Sequence, residues 1–195
     1  MTDTVRPTDV QQWIELLHSS VSTERLKGAT ELASLAVRTR TRGVIRTRGT
    51  LSQAALSRLP KGVSLSAALD AFKDQHVEVR RAVAFALGEW ADEDAVEVLR
   101  QIAEADSESV VGGEAIDALG KIGGQQAVEV LQIAARHDRS VDVRIRAIRA
   151  LAELARADPS ASQRVIETLE SVKAEDPADP VRNQAEEALA RLGRI

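Results

Sequence analysis

The chain has 195 residues, is 44% hydrophobic and carries a formal net charge of −4, which suits one compact domain or one short repeat array with a packed core. It has no cysteine, which excludes disulfides, thiol nucleophiles and thiolate metal sites; aromatic residues are only 2%, which favours closely packed helices over aromatic-rich strands. The opening MTDTVRPTDV lacks the basic start and apolar run of a signal peptide and no apolar stretch approaches the ~20 residues of a membrane span, so a cytoplasmic location is expected.

The first predicted elements are a pair of helices: TDVQQWIELLHSS, capped by Thr8, then STERLKGATELASLA. A basic segment follows. RTRTRGVIRTRGT, residues 38–50, holds Arg38, Arg40, Arg42, Arg46 and Arg48 and no acid. Alternating Thr and Arg make a poor helix and suit an extended arm, with bends allowed at Gly43 and Gly49. LSQAALSRLPKG reads as a short helix ended by Pro60. Residues 38–63 are therefore expected to be a basic insertion between a first and a second repeat of a single domain spanning 1–195.

From residue 74 the sequence is periodic. DQHVEVRRAVAFALGEW, DSESVVGGEAIDALGKI, DRSVDVRIRAIRALAEL and DPADPVRNQAEEALARL begin at Asp74, Asp106, Asp138 and Asp176, at steps of 32, 32 and 38 residues. Each shares the aspartate, a valine five residues on (Val79, Val111, Val143, Val181) and an Ala-Leu pair (Ala86-Leu87, Ala118-Leu119, Ala150-Leu151, Ala188-Leu189). A large apolar residue follows at Trp90, Ile122, Leu154 and Leu192. This spacing is one stripe of an amphipathic helix. DAVEVLRQIAEA and QQAVEVLQIAAR repeat at the same 32-residue step ahead of those helices, so the unit is helix, short turn, helix. Asp179-Pro180 predicts an N-cap followed by proline at the first helical position, and GKIGG supplies glycines that end a helix. With the N-terminal pair, whose Arg25 and Leu32 suit the repeat columns, about five helical hairpins are expected, giving an all-α stack.

On these columns the pattern resembles HEAT repeats, particularly the short HEAT-like class associated with phycobilin lyase subunits. The resemblance implies an α–α superhelix (solenoid), with first helices on the convex side and second helices on the concave side.

Catalytic and metal-binding patterns are weak. His18, His76 and His137 lie far apart, each at or near a helix end and none in a His-Glu pair, so solvated turn histidines are expected and no metal or cofactor is predicted. No nucleophile-elbow motif and no phosphate-cradling glycine loop occurs, and no catalytic residue is assigned. The repeated aspartates and the arginines Arg80, Arg144 and Arg182 read as a structural ladder, each arginine bridging to a neighbouring repeat's carboxylate or carbonyl. The third unit breaks it with Gly112 and Gly113, and is expected to flex most.

Second-helix positions that the core does not claim include Phe85, Glu114, Asp117, Lys121, Arg146, Arg149, Gln184, Glu187 and Arg191. Aligned by column, they predict Glu114 beside Arg146 and Asp117 beside Arg149. The expected function is a non-enzymatic scaffold that grips a protein partner with the arm arginines, Phe85, Arg146 and Arg149. The alternatives are nucleic-acid binding through the arm, extended only by the Arg136–Arg149 cluster, and, on repeat type, a bilin lyase-type subunit or chaperone.

Overall fold

The computed structural model describes residues 12–34 except 14 and 33, then 70–90, 93–158 and 162–193. Thr8 and the insertion at 38–63 with its arginines lie outside the described residues. The chain divides into two compact units, Met1–Ala95 and Val96–Ile195. Among the described residues the regular structure is helical throughout, without strands, as an all-α repeat fold requires.

In the first unit, residues 22–32 are helical, and α1 (Val77–Trp90) follows the aspartate loop. Of the stripe read from the sequence, Val79, Ala86 and Leu87 are at most 3% exposed, whereas the large apolar column is half-buried in the later units, at Ile122, Leu154 and Leu192; Glu78 in the first turn meets the positive end of the helix dipole.

The second unit contains three hairpins. They pair α2 (Val96–Ala105) with α3 (Ser109–Ile122), α4 (Gly124–His137) with α5 (Val141–Ala157), and α6 (Ser162–Glu175) with α7 (Asp179–Arg191). The first helices α2, α4 and α6 pack in sequence, as do the second helices α3, α5 and α7, and each hairpin closes on itself. Stacking is what buries the apolar stripes: Leu99, Leu119, Leu131, Leu151 and Leu169 are fully inaccessible. One buried hydroxyl is also satisfied between layers, since Thr168 accepts from Gln132 Nε2 (2.7 Å) and Arg136 Nη2 (3.0 Å) and donates to the Arg164 carbonyl (2.9 Å).

The turn from α3 to α4 is a single residue, Gly123, at φ +70°, with Gly124 at φ +78° already opening α4. Left-handed backbone at both positions explains the paired glycines of GKIGG. The expected cap at α7 is displaced. Ala178 has the N-cap geometry, and Asp179 and Pro180 are the first two helical residues. No side chain caps α7; Asp176 instead closes the turn before it, accepting the Ala178 N–H at 2.9 Å. The same two-residue turn recurs at Asp74 with His76, Asp106 with Glu108 and Asp138 with Ser140, so the repeated aspartate tightens the chain entering each second helix.

α3 is continuous through Gly112 and Gly113. A Cβ on Gly113 would stand 3.0 Å from Arg146 Cδ, and one on Gly120 would stand 2.9 Å from Ala150 Cβ. These two glycines let α5 lie close against α3. Gly112 has no such role, because a Cβ there would meet only ordinary contacts, Ala103 O at 3.5 Å and Val143 Cγ2 at 3.9 Å.

Candidate interaction surface

The arginine ladder is present, with more connections than the sequence pattern shows. Arg144 Nε donates to Asp176 Oδ2 at 2.8 Å and Nη2 to Asp176 Oδ1 at 3.1 Å, while Nη1 donates to the Asp138 carbonyl at 2.7 Å. Both side chains are buried, 9% and 3% exposed, so the fork is a desolvated ion pair whose hydrogen bonds are satisfied. In the first unit Arg25 repeats the arrangement, forking on Asp74 and donating Nη1 to the Ser19 carbonyl at 2.8 Å. In both rungs the arginine holds the carbonyl six residues behind it and the aspartate of the next repeat. Arg80 and Arg182 bind the carbonyls of Asp74 (2.8 Å) and Asp176 (2.7 Å), each in its own repeat, and Arg182 pairs with Asp179 of α7, so the inter-repeat bridge expected of Arg182 is not found among the described residues. Burial opposes ionisation of Asp74, but the Arg25 guanidinium and the His76 N–H and ring outweigh it and lower the carboxyl from 3.8 to about 2.

Outside the ladder, polar side chains on the second helices α3, α5 and α7 pair from one repeat to the next. There Arg146 Nη1 pairs with Asp117 of α3, and its Nε with Asp142 at 2.7 Å. Arg149 Nε donates to Gln184 Oε1 of α7 at 2.9 Å, and Gln184 Nε2 donates to Glu187 at 3.3 Å, beside Arg191. This corrects the column pairing of Glu114 with Arg146 and Asp117 with Arg149. Each observed pair is diagonal, joining the later position of one repeat to the earlier position of the next. Long side chains reach one helical turn along the neighbouring helix, so equal column number does not make two residues partners.

The grid is half-exposed, with Arg146 and Asp117 at 35% and 38%. On α2, by contrast, the exposed pairing of Arg100 runs to Glu97 (2.6 Å) and Glu104 (2.6 Å) of the same helix. Phe85 is half-buried on α1, in the first unit. Of the basic cluster at 136–149, Arg136 is held by Thr168, Arg139 by the Asp106 carbonyl, Arg144 by Asp176, Arg146 by two carboxylates and Arg149 by Gln184. Among the described residues no group of three His, Asp or Glu gathers in a metal-binding arrangement, and no helix is long and apolar enough to cross a membrane.

The comparisons agree with this architecture. Residues 65–152 match the family of HEAT repeats. No curated protein sequence matches the chain. Among solved structures, the complex of CpcE and CpcF of phycocyanin lyase from Nostoc sp. PCC7120 aligns with a TM-score of 0.61 at 19% identity, over 94% of this chain and 99% of that one. A designed armadillo repeat protein in complex with the peptide (KR)4 aligns at 0.57 and 17% identity, over 94% of this chain and 82% of that one. An engineered protein aligns at 0.59 and 22%, over 98% and 81%. At these identities the likeness is one of fold.

Proposed function

We propose that this chain, whose residues 65–152 carry HEAT repeats, is a non-enzymatic scaffold that binds a protein partner across the second-helix face. The observation that carries the reading is the inter-repeat grid Asp117–Arg146 and Arg149–Gln184, which holds charged and amide groups in fixed positions over three consecutive second helices. Exposed pairs of this kind contribute only ~0–1 kcal/mol to stability, so a partner can exchange them at little cost while reading their spacing. The fold supports the same reading, because a solved solenoid of similar architecture is complexed with a peptide. Arg136, Arg139 and Arg144 are engaged by Thr168, the Asp106 carbonyl and the buried Asp176, which argues against a continuous phosphate-binding track on this unit. The arm arginines Arg38, Arg40, Arg42, Arg46 and Arg48, together with Phe85, belong to the same proposal as additional contacts.

The test is affinity capture from native lysate, with and without nuclease, using wild type, Arg149→Glu, and a variant with Arg40, Arg42, Arg46 and Arg48 changed to serine. A nuclease-resistant protein that is retained by wild type and lost with Arg149→Glu is the expected result. Capture that disappears with nuclease and with the arm variant, and ignores Arg149, would make the chain a nucleic-acid binder instead.

A further inference from the structure

The ladder has a vacated rung, and we propose that it receives an arginine side chain from the protein partner. This rests on the reading of the chain as a protein-binding scaffold and adds the chemistry of one contact. The rungs Arg25–Asp74 and Arg144–Asp176 define what belongs there: an arginine in the second helix of one repeat forks onto the aspartate of the next. The aspartate at the vacated position is Asp138, and the arginine column of the preceding repeat holds Gly112. Among the described residues, the Asp138 carboxylate accepts only the Ser140 N–H, at 2.7 Å. The other half of the rung is filled from the opposite side. The Asp106 carbonyl, which an arginine at 112 would hold by the six-residue rule, accepts Arg139 Nη2. The carbonyl end is therefore closed and the carboxylate end open.

The opening has a shape. A groove of about 270 Å³ between the C-terminal ends of α2 and α4 has Asp138 in its lining, with Ala103, Val130, Ile133, His137 and Arg139 around it. That volume is room enough for one long side chain. Glu104 at its rim is already paired with Arg100 at 2.6 Å, so Asp138 is the carboxylate on offer. Ile133, 55% exposed, provides an apolar wall for methylene groups. Packing does not force the vacancy, since a Cβ at 112 meets nothing closer than 3.5 Å. A guanidinium fits better than an ammonium because the carboxylate of this column takes two parallel N–H groups in both of those rungs.

The experiment titrates the full ¹⁵N-labelled chain at constant ionic strength with N-acetyl-arginine amide, and separately with N-acetyl-lysine amide. Saturable amide shifts centred on Gly112 and residues 138–140 are expected, with the arginine compound binding about fivefold or more tightly. Asp138→Asn, which keeps an acceptor for Ser140, weakens binding about tenfold. Gly112→Arg supplies the rung internally and abolishes it; if that variant does not fold, Asp138→Asn decides. Equal response to both compounds, shifts spread over the acidic surface, or indifference to Asp138→Asn overturns the proposal. No partner is used, so the two readings fail separately. A responsive slot with capture that ignores Arg149 sinks the second-helix face as the binding surface, and a silent slot with Arg149-dependent capture sinks the rung.

Discussion

Two aspartates thirty-eight residues apart occupy the same column of the repeat and have opposite fates. Asp176 is buried under the fork of Arg144, its carboxylate accepting two guanidinium N–H groups and the Ala178 N–H. Among the described residues Asp138 keeps only its turn hydrogen bond, because the residue that would reach it is Gly112. The difference shows how a stack of similar units tolerates an irregular member. Each repeat contacts only its neighbours, so a missing group is compensated locally, here by Arg139 reaching back to the carbonyl of Asp106. It also separates two roles that the sequence column merges: tightening the turn, which all four aspartates perform, and receiving an arginine, which Asp138 does not.

The comparison is broken most severely at the filled rung. Arg144→Ala leaves Asp176 buried without its counter-charge, and a loss of about 3–5 kcal/mol is expected in urea denaturation. Arg144→Lys keeps the charge without the fork and is expected to lose less, about 1–3 kcal/mol. Asp138→Asn, made at the unfilled position, should cost under about 1 kcal/mol, since the turn acceptor survives. Similar losses at Asp176 and Asp138 would show that Asp138 has a counter-charge in solution.

The rung of the first unit can be opened by acid instead of mutation. The Asp74 carboxyl is lowered to about 2 in the folded chain against an ordinary 3.8. A depressed carboxylate contributes stability that is fully present above its ordinary value and disappears as pH falls from about 4 through 2. Glu97, held near 2 by Arg100 on α2, titrates in the same window. The difference between wild type and Asp74→Asn, followed as the urea midpoint from pH 5 to pH 2, isolates the rung. The two curves should converge at low pH; parallel curves would mean that Asp74 gains nothing from Arg25.

Much of this was legible in the sequence. The columns of valine, alanine and leucine named the buried stripe, because a helical period and stacking demand apolar residues at fixed spacing; Val111, Ala118 and Leu119 are all at most 1% exposed. The ladder was legible for the same reason. Geometry that depends on how one helix is staggered against the next was not. The diagonal pairing of Arg146 with Asp117, the displaced cap at Ala178 and the rescue by Arg139 are all set by side-chain reach between elements, which a column alignment does not encode. Gly112 and Gly113 looked alike as helix weakeners, yet only Gly113 has a neighbour that a side chain would strike.

The glycines of α3 sharpen the contrast at a smaller scale. Gly120→Ala places a methyl 2.9 Å from Ala150 Cβ, a contact that rotamer change cannot relieve, and is expected to cost about 1–3 kcal/mol. Gly112→Ala makes only ordinary contacts, none closer than 3.5 Å, and exchanges a poor helix former for the best one, so it should stabilise by roughly 1 kcal/mol. The sign of the pair is the measurement. If both destabilise, Gly112 has a packing role, and the vacated rung is a steric necessity.

The smallest effect belongs to the surface grid. Arg146 and Asp117 are more than a third exposed, and Arg146 has Asp142 as a second acceptor, so truncating either member should change stability by less than about 1 kcal/mol. A double-mutant cycle of Arg146→Ala and Asp117→Ala, read by urea denaturation, should give a coupling of only a few tenths of a kcal/mol. High salt should shrink it further, since the pair is open to solvent. That result would fit a face whose charges are free to be traded with a partner. A coupling approaching that of the buried Arg144–Asp176 rung would instead make the grid part of what holds the repeats together, and the search for a binding surface would have to leave these helices.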